Sequence, residues 1–124
     1  MTVSSDTDIN FEILYQMFDR KSSRQRIILY LFAIRYPVTD MVSMSVADLN
    51  KLELPQEIDY CRDEIIEELD DDSAGAPVFV YPSGGVWDKR DFRRVLRQTT
   101  ERHFGFPLSP ARFADELEGA AEAI

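Results

Sequence analysis

Histidine, cysteine and lysine are scarce in this chain of 124 residues. The single cysteine, Cys61, excludes an internal disulfide and is typical of a reducing compartment, so we expect a cytoplasmic protein. The single histidine, His103, leaves no cluster of histidines and cysteines with the spacing of metal ligands. The acidic run at 70–72 lacks the spaced oxygens and the glycine of a calcium loop. We therefore expect neither a metal nor a cofactor.

Long apolar runs are also missing. The longest one is too short to cross a bilayer, and residues 1–8 are polar rather than a signal sequence. These residues are predicted to form a flexible N-terminus, and no membrane partner is expected. Apolar residues nevertheless make up 44% of the chain and aromatic residues 11%, which is enough for one globular core. Residues 9–124 are therefore predicted to form a single domain.

Positive charge is outweighed: 23 acidic residues stand against 14 basic ones, and the net charge is −9. The basic residues are 11 arginines and only three lysines, and 13 of the acids are aspartates. A surface rich in aspartate and poor in lysine is typical of a high-salt cytoplasm, where salt screens self-repulsion. A halophilic source is therefore one interpretation, and an ordinary acidic bacterial or phage protein is the other.

The apolar segment 27–49 is the centre of the predicted fold. It predicts a helix buried on most sides and a turn at Pro37, because proline cannot continue a helix. A short helix follows, which Thr39 caps and which ends near Val46, with Asp48 in the next turn.

Hydrophobic periodicity and capping residues predict the remaining helices, about six in all. The first is capped by Asp8 or Asn10 and ends at Phe18, and the central helix is capped by Ser22 or Ser23 and ends at Arg35. Later helices are predicted at 56–69, at 89–103 between Asp88 and Gly105, and at 110–121 after Ser109. Residues 51–54 and 78–81 predict short strands. The predicted class is mainly α, with one or two short strands.

Short motifs along the chain follow the order of motifs in one large family. The first lies at 35–41 and continues with Met44 and residues 48–49, and the second is Leu54 and Pro55 before a helix. The third is Val78 and Phe79 before a glycine turn and a helix that contains Phe92 and Arg93, and the fourth lies at 108–115. In order and spacing they resemble the catalytic domain of the tyrosine recombinases, also called phage integrases. The resemblance implies a truncated, integrase-like helical domain that lacks most of its β-hairpin.

The resemblance also assigns this chain's residues to the positions that carry catalysis in that family. Its members hold the scissile phosphate with two arginines and a histidine, use a hairpin lysine as acid, and attack with a tyrosine. Pro37 stands at the first arginine, Ala111 and Ala114 at the histidine and the second arginine, and Asp115 at a second histidine. The hairpin is reduced to 51–54, and no tyrosine follows the final helix.

Phosphoryl transfer depends on cations that stabilise the charge developing on the phosphate oxygens. Proline and alanine supply no donor at these positions, and the Asp115 carboxylate repels a phosphate. We therefore expect an inactive homologue that is not an enzyme, with no catalytic residue and no small-molecule substrate. Its expected role is that of an accessory or regulatory protein of DNA recombination in a mobile element or virus.

The remaining candidate site is a set of basic residues, most of them on the predicted helix 89–103. Four arginines recur there at intervals of three and four residues, which places them on one face of the helix. The DNA-binding hypothesis names Lys89, Arg90, Arg93, Arg94, Arg97 and Arg102, together with Arg24 and Arg26. DNA lies across this side of the domain in recombinases, so the resemblance implies contact with the phosphates of double-stranded DNA.

Two alternatives to DNA binding stay open. Residues 56–72 carry nine acids, so acidic and basic helices can pair within one molecule or between two. Recombinases assemble by passing C-terminal segments between neighbours, which implies a second use for the apolar residues Leu117, Ala120, Ala121 and Ile124. They can bind a recombinase or a second copy of this chain. An acidic, self-associating protein with no nucleic-acid role is the contrasting interpretation.

Overall fold

The computed structural model describes residues 9–118. Within this range it contains seven helices and no strand, so the mainly α class is confirmed and the two predicted strands are wrong. The helices are α1 (Phe11–Gln16), α2 (Ser23–Ala33), α3 (Val38–Val42), α4 (Val46–Lys51), α5 (Gln56–Glu68), α6 (Lys89–Phe104) and α7 (Pro110–Leu117). The predicted N-terminus at 1–8 and the predicted helical residues 119–121 lie outside the described range.

Helix α2 is the centre of the core, as its apolar sequence predicts. All seven residues from 27 to 33 are buried, and α2 packs against α5, α6 and α7. Its start is fixed by a capping box: the Ser22 hydroxyl accepts from the Gln25 N–H, and the Gln25 side chain accepts from the Ser22 N–H. A helix surrounded in this way presents little surface to a ligand, so a binding surface must lie mainly on its neighbours.

Most predicted helix starts are confirmed by the side chains that cap them, whereas α1 and α2 end two residues earlier than predicted, at Gln16 and Ala33, and α7 ends at Leu117. Asn10, Asp88 and Ser109 accept hydrogen bonds from the first turns of α1, α6 and α7. Gly105 ends α6 with a φ of 90°, the left-handed conformation that glycine adopts without a steric penalty. These caps place α6 and α7 in the register that the sequence predicts.

The predicted helix after Pro37 is in fact two helices. Thr39 does not cap it, because α3 begins directly after Pro37 without a side-chain cap. A new helix, α4, begins after Ser45. The Ser45 hydroxyl accepts a hydrogen bond from the Asp48 N–H, and the Asp48 carboxylate accepts one from the Ser45 N–H at 3.0 Å. Asp48 therefore lies in the first turn of α4 rather than in a loop, and the helix count rises to seven.

The two predicted strands lack partner strands. Residues 52–54 are not paired with another segment; Arg62 Nη2 instead donates to the Leu52 carbonyl at 2.7 Å. Residues 78–81 form one side of a tight turn, in which Tyr81 N donates to Gly85 O at 2.8 Å and Val80–Val86 is a single bridge. Alternating apolar residues thus mark extended segments that are partly buried without a sheet.

No helix of the described range is long and apolar enough to cross a membrane.

Candidate nucleic-acid interface

Helix α6 separates apolar from basic side chains, as its sequence predicts. Its buried residues are Phe92, Val95, Leu96, Thr99 and Thr100. Four arginines, Arg90, Arg93, Arg94 and Arg97, are exposed on the other side, and we call them the α6 arginine stripe. Lys89 is exposed at the first residue of the same helix.

Most of the stripe is free of ion pairs within the described part of the chain. Arg94 lies 3.6 Å from the Asp91 carboxylate, whereas Arg90, Arg93 and Arg97 form no ion pair with another described residue. An arginine without a carboxylate partner keeps its guanidinium donors for a ligand, and phosphate oxygens match their geometry. Three of the four positions are therefore available for phosphate contacts.

Arg24 and Arg26, also named in the DNA-binding hypothesis, have structural contacts instead. Arg24 Nε donates to the Val78 carbonyl at 2.9 Å, and its Nη1 pairs with Glu68 at 2.6 Å; only 16% of the side chain is exposed. Arg26 donates to the Tyr60 hydroxyl and lies 5.7 Å from the centre of the Phe18 ring. These arginines bind α2 to its neighbours, and the structure does not bring them into the stripe.

Arg102 also lies apart from the stripe. It lines a cavity with Lys21, Thr99 and His103, on a side of α6 that faces the loop between α1 and α2. Its position twelve residues after Arg90 corresponds to a rotation of roughly 120° around the helix. The structure therefore reduces the predicted DNA-binding set to Lys89 and the four arginines of the stripe.

A groove beside the stripe joins two positions that are distant in sequence. Its volume is about 350 Å³, and its lining residues are Phe32, Arg35, Tyr36, Pro37, Val38, Arg93, Pro110 and Ala111. Pro37 and Ala111 are two of the positions that the recombinase resemblance assigns to phosphate-binding side chains. Both positions hold apolar side chains. Of the two arginines that line the groove, Arg93 is the one without an ion-pair partner among the described residues.

Arg35 is a residue of this groove that sequence reasoning missed. Its guanidinium pairs with Asp115 at 2.6 Å and with Glu118 at 3.0 Å, and the hydrogen bond that it donates to Asp115 raises the pKa of Arg35. Its φ of 64° lies in the left-handed region, which non-glycine residues rarely adopt. The paired carboxylates are 80 and 83 residues away, so no local pattern could have identified this cluster.

Four of the five tyrosines have a raised pKa. Burial, reinforced by a nearby carboxylate, raises the pKa of Tyr15 to about 12. Burial also raises the pKa of Tyr36 and Tyr60, and a hydrogen bond to Asp91 raises the pKa of Tyr81. A raised pKa disfavours the phenolate, which is the attacking species. These four side chains are therefore poor candidates for attack on a phosphate.

The apolar C-terminal segment is in part committed to the chain's own core. Leu117 is fully buried, so it is not free to pack on a neighbouring molecule. Asn10 N donates to the Leu117 carbonyl at 2.7 Å, which ties this end of α7 to the start of α1. The other residues of the predicted exchange segment, Ala120, Ala121 and Ile124, lie outside the described range.

The chain has no significant match among protein-family models, curated proteins or solved structures. The resemblance to the tyrosine recombinases therefore stays a prediction, which depends on motif order and on the groove described above.

Proposed function

We propose that this chain is a non-catalytic, integrase-like accessory protein of a mobile element or virus that binds double-stranded DNA through the α6 arginine stripe. The observation that carries the proposal is the stripe itself: four exposed arginines, three of which have no ion-pair partner among the described residues. Arginine predominates in phosphate recognition because its planar donors fit phosphate oxygens. In a chain of net charge −9, such a cluster concentrates positive charge on one helix face.

The groove supports the integrase-like part of the proposal. The resemblance assigns Pro37 and Ala111 to one phosphate site, and these residues line one groove although they belong to separate parts of the chain. The family motif that residues 35–41 resemble begins with a glycine, and Arg35 stands at that position with a left-handed backbone, the conformation to which glycine is best suited. These two observations support the integrase-like part of the proposal.

The same groove is the reason for proposing that the chain does not cleave DNA. Pro37 and Ala111 carry no cation, Ala114 is buried, and Asp115 is a carboxylate paired with Arg35. Without positioned cations, the charge that develops on the phosphate oxygens is not stabilised. The proposed protein therefore contacts a DNA backbone without reacting with it.

A mobility-shift titration with duplex DNA tests the proposal. We expect the wild-type chain to shift the duplex at about 50 mM salt and the Arg93→Ala/Arg97→Ala variant to bind at least tenfold more weakly. Lys51→Ala/Arg112→Ala is the matched control, because it removes the same charge from α4 and α7, outside the stripe. Equal losses in both variants, or no shift by the wild type at low salt, would contradict the proposal.

The second candidate function is association, either between copies of this chain or with a recombinase. One observation favours it. Helices α5 and α6 both pack against α2, and they are not among the main contacting helix pairs themselves. The acidic face of α5 and the arginine stripe therefore remain available to other molecules. Asp63 and Glu67 are exposed on α5 and form no ion pair with a described residue.

Sedimentation velocity at low and high salt tests this second candidate. If the two faces pair between copies, the mass doubles at about 50 mM salt and returns to that of one chain near 1 M, where charges are screened. The Asp63→Lys/Glu67→Lys variant then stays monomeric at both salt concentrations. A monomeric wild type at both concentrations would exclude self-pairing through these faces.

A further inference from the structure

We infer that a second cavity, on the side of α6 away from the arginine stripe, binds the phosphate group of a small phosphorylated molecule. The cavity lies between the α1–α2 loop and the last turns of α6, and its volume is about 320 Å³. This volume is roughly ten times the 30 Å³ share of one water in the liquid, and falls in the lower range of ligand pockets. There is room for a phosphate and for part of the molecule that carries it.

The charges around this cavity are unbalanced. Three cations line it, Arg20, Lys21 and Arg102, together with His103, whereas Asp19 is the single lining carboxylate. None of the three cations forms an ion pair with another residue of the range 9–118. In the same range Arg24, Arg35 and Arg62 have carboxylate partners, whereas these three cations, like three of the stripe arginines, have none. An anion that enters the cavity supplies the missing counter-charge.

Lys21 and Arg102 act on each other in the absence of that anion. Burial, and then repulsion from Arg102, lower the pKa of Lys21. A phosphate placed between the Arg102 guanidinium and the Lys21 ammonium counteracts this repulsion and raises the pKa of Lys21, because an opposite charge favours the protonated amine. Binding and protonation of Lys21 are therefore coupled.

A buried, unpaired hydroxyl belongs to one of the residues that line the cavity. Thr99 lines the cavity and is only 3% exposed, and its Oγ1 has no hydrogen-bond partner within the described residues. Its neighbour Thr100, by contrast, uses its hydroxyl fully, as a donor to the Leu96 carbonyl and an acceptor from the Leu108 N–H. The wall of the cavity therefore contains one unsatisfied hydroxyl, which lies beneath the surface that a ligand would contact.

The position of the cavity favours a small molecule over a DNA backbone. Arg102 and Thr99 lie on turns of α6 that face the α1–α2 loop, whereas the stripe is on the exposed side. A DNA duplex lying on the stripe therefore does not reach this cavity. The inference is independent of the proposed function, and either can fail without the other.

Titration of the full chain with inorganic phosphate, followed by amide chemical shifts at constant ionic strength, tests the inference. We expect saturable shifts at residues around the cavity, with a dissociation constant on the order of 1 mM or tighter. Lys21→Gln and Arg102→Gln each weaken binding about tenfold, since each removes a charge-assisted hydrogen bond. The matched control is Lys51→Gln, which removes a charge from α4, outside both the cavity and the stripe, and leaves phosphate binding unchanged.

A second measurement does not depend on variants. Phosphate is expected to raise the pKa of Lys21, observed through its side-chain resonances, and to leave Lys51 on α4 unaffected. A nucleoside monophosphate that binds more tightly than inorganic phosphate supports a small phosphorylated ligand. Shifts that do not saturate, an unchanged Lys21 pKa, or a Lys21→Gln variant that loses duplex DNA binding but not phosphate binding would each overturn the inference.

Discussion

Two adjacent threonines of α6 are expected to respond in opposite ways to the same substitution. Thr100 is fully buried; its hydroxyl donates to the Leu96 carbonyl at 2.8 Å and accepts from the Leu108 N–H at 2.9 Å. Thr99 is buried beside it, but its hydroxyl has no partner in the described part of the chain. Valine has nearly the same shape and the same branching at Cβ, so replacement by valine isolates the hydroxyl.

The expected free energies of unfolding follow from these contacts. Thr100→Val leaves the buried N–H of Leu108 without an acceptor, which costs about 1–3 kcal/mol. Thr99→Val removes a hydroxyl that is already unpaired, so stability stays the same or rises by up to about 2 kcal/mol. With an m-value of about 1.5 kcal/mol per molar urea, a loss of 2 kcal/mol lowers the midpoint by about 1.3 M.

Urea unfolding of the two variants, followed by far-UV circular dichroism, measures this difference. The m-value should not change, because neither substitution alters the surface exposed on unfolding. Thr100→Ser provides a control that keeps the hydroxyl and removes only a methyl group. If Thr99→Val and Thr100→Val destabilise the protein equally, the hydrogen bond between the Thr100 hydroxyl and the Leu108 N–H does not stabilise the fold as predicted.

Three further predictions concern stability. Gly105→Ala should lower the free energy of unfolding by about 1 kcal/mol, measured by thermal unfolding. The cause is the φ of 90°, which alanine disfavours, because no atom lies within 4 Å of the added methyl group. Gly75→Ala is the control and should have a smaller effect, since φ is not positive there. Arg24→Met should cost about 1–3 kcal/mol, because the Val78 carbonyl and Glu68 lose their donor, whereas Glu68→Gln should cost under about 1 kcal/mol; equal effects would contradict this reasoning. The hydrogen bond from Tyr81, and then that from the Asp88 N–H, lower the pKa of Asp91, so its contribution to stability is complete above the ordinary value of 3.8 and is lost as the pH falls through the lower folded-state pKa. Tyr81→Phe should therefore reduce the acid-dependent part of the stability, and an unchanged pH profile would refute the assignment.

The parts of the fold that the sequence predicts are those decided by local chemistry. The caps at Asn10, Asp88 and Ser109 and the glycine stop at Gly105 are interactions within three or four residues, so their pattern is visible in the chain itself. The buried residues 27–33 follow in the same way from an apolar sequence without a polar face. The division into α3 and α4 at Ser45 is not predicted, because the sequence also fits a single helix capped by Thr39.

In the candidate site, too, the features that depend on local spacing are predictable and those that depend on long-range contacts are not. The stripe follows from helical spacing alone and lies on one exposed face, as predicted. The roles of Arg24, Arg26 and Arg35 depend on partners 34 to 83 residues away, so charge by itself could not distinguish them from surface arginines. The cavity beside Lys21 was missed for the same reason, because its lining comes from α1, the following loop and the far end of α6.

The salt dependence of DNA affinity tests the central claim most directly, because it counts phosphate contacts. Each arginine that contacts a phosphate adds about 0.9 to the slope of log affinity against log salt. Between about 50 and 200 mM salt, the account predicts that Arg93→Ala/Arg97→Ala lowers this slope by about 2, while Lys51→Ala/Arg112→Ala leaves it unchanged. Identical slopes for all three proteins, or cleavage of the duplex during the titration, would contradict it.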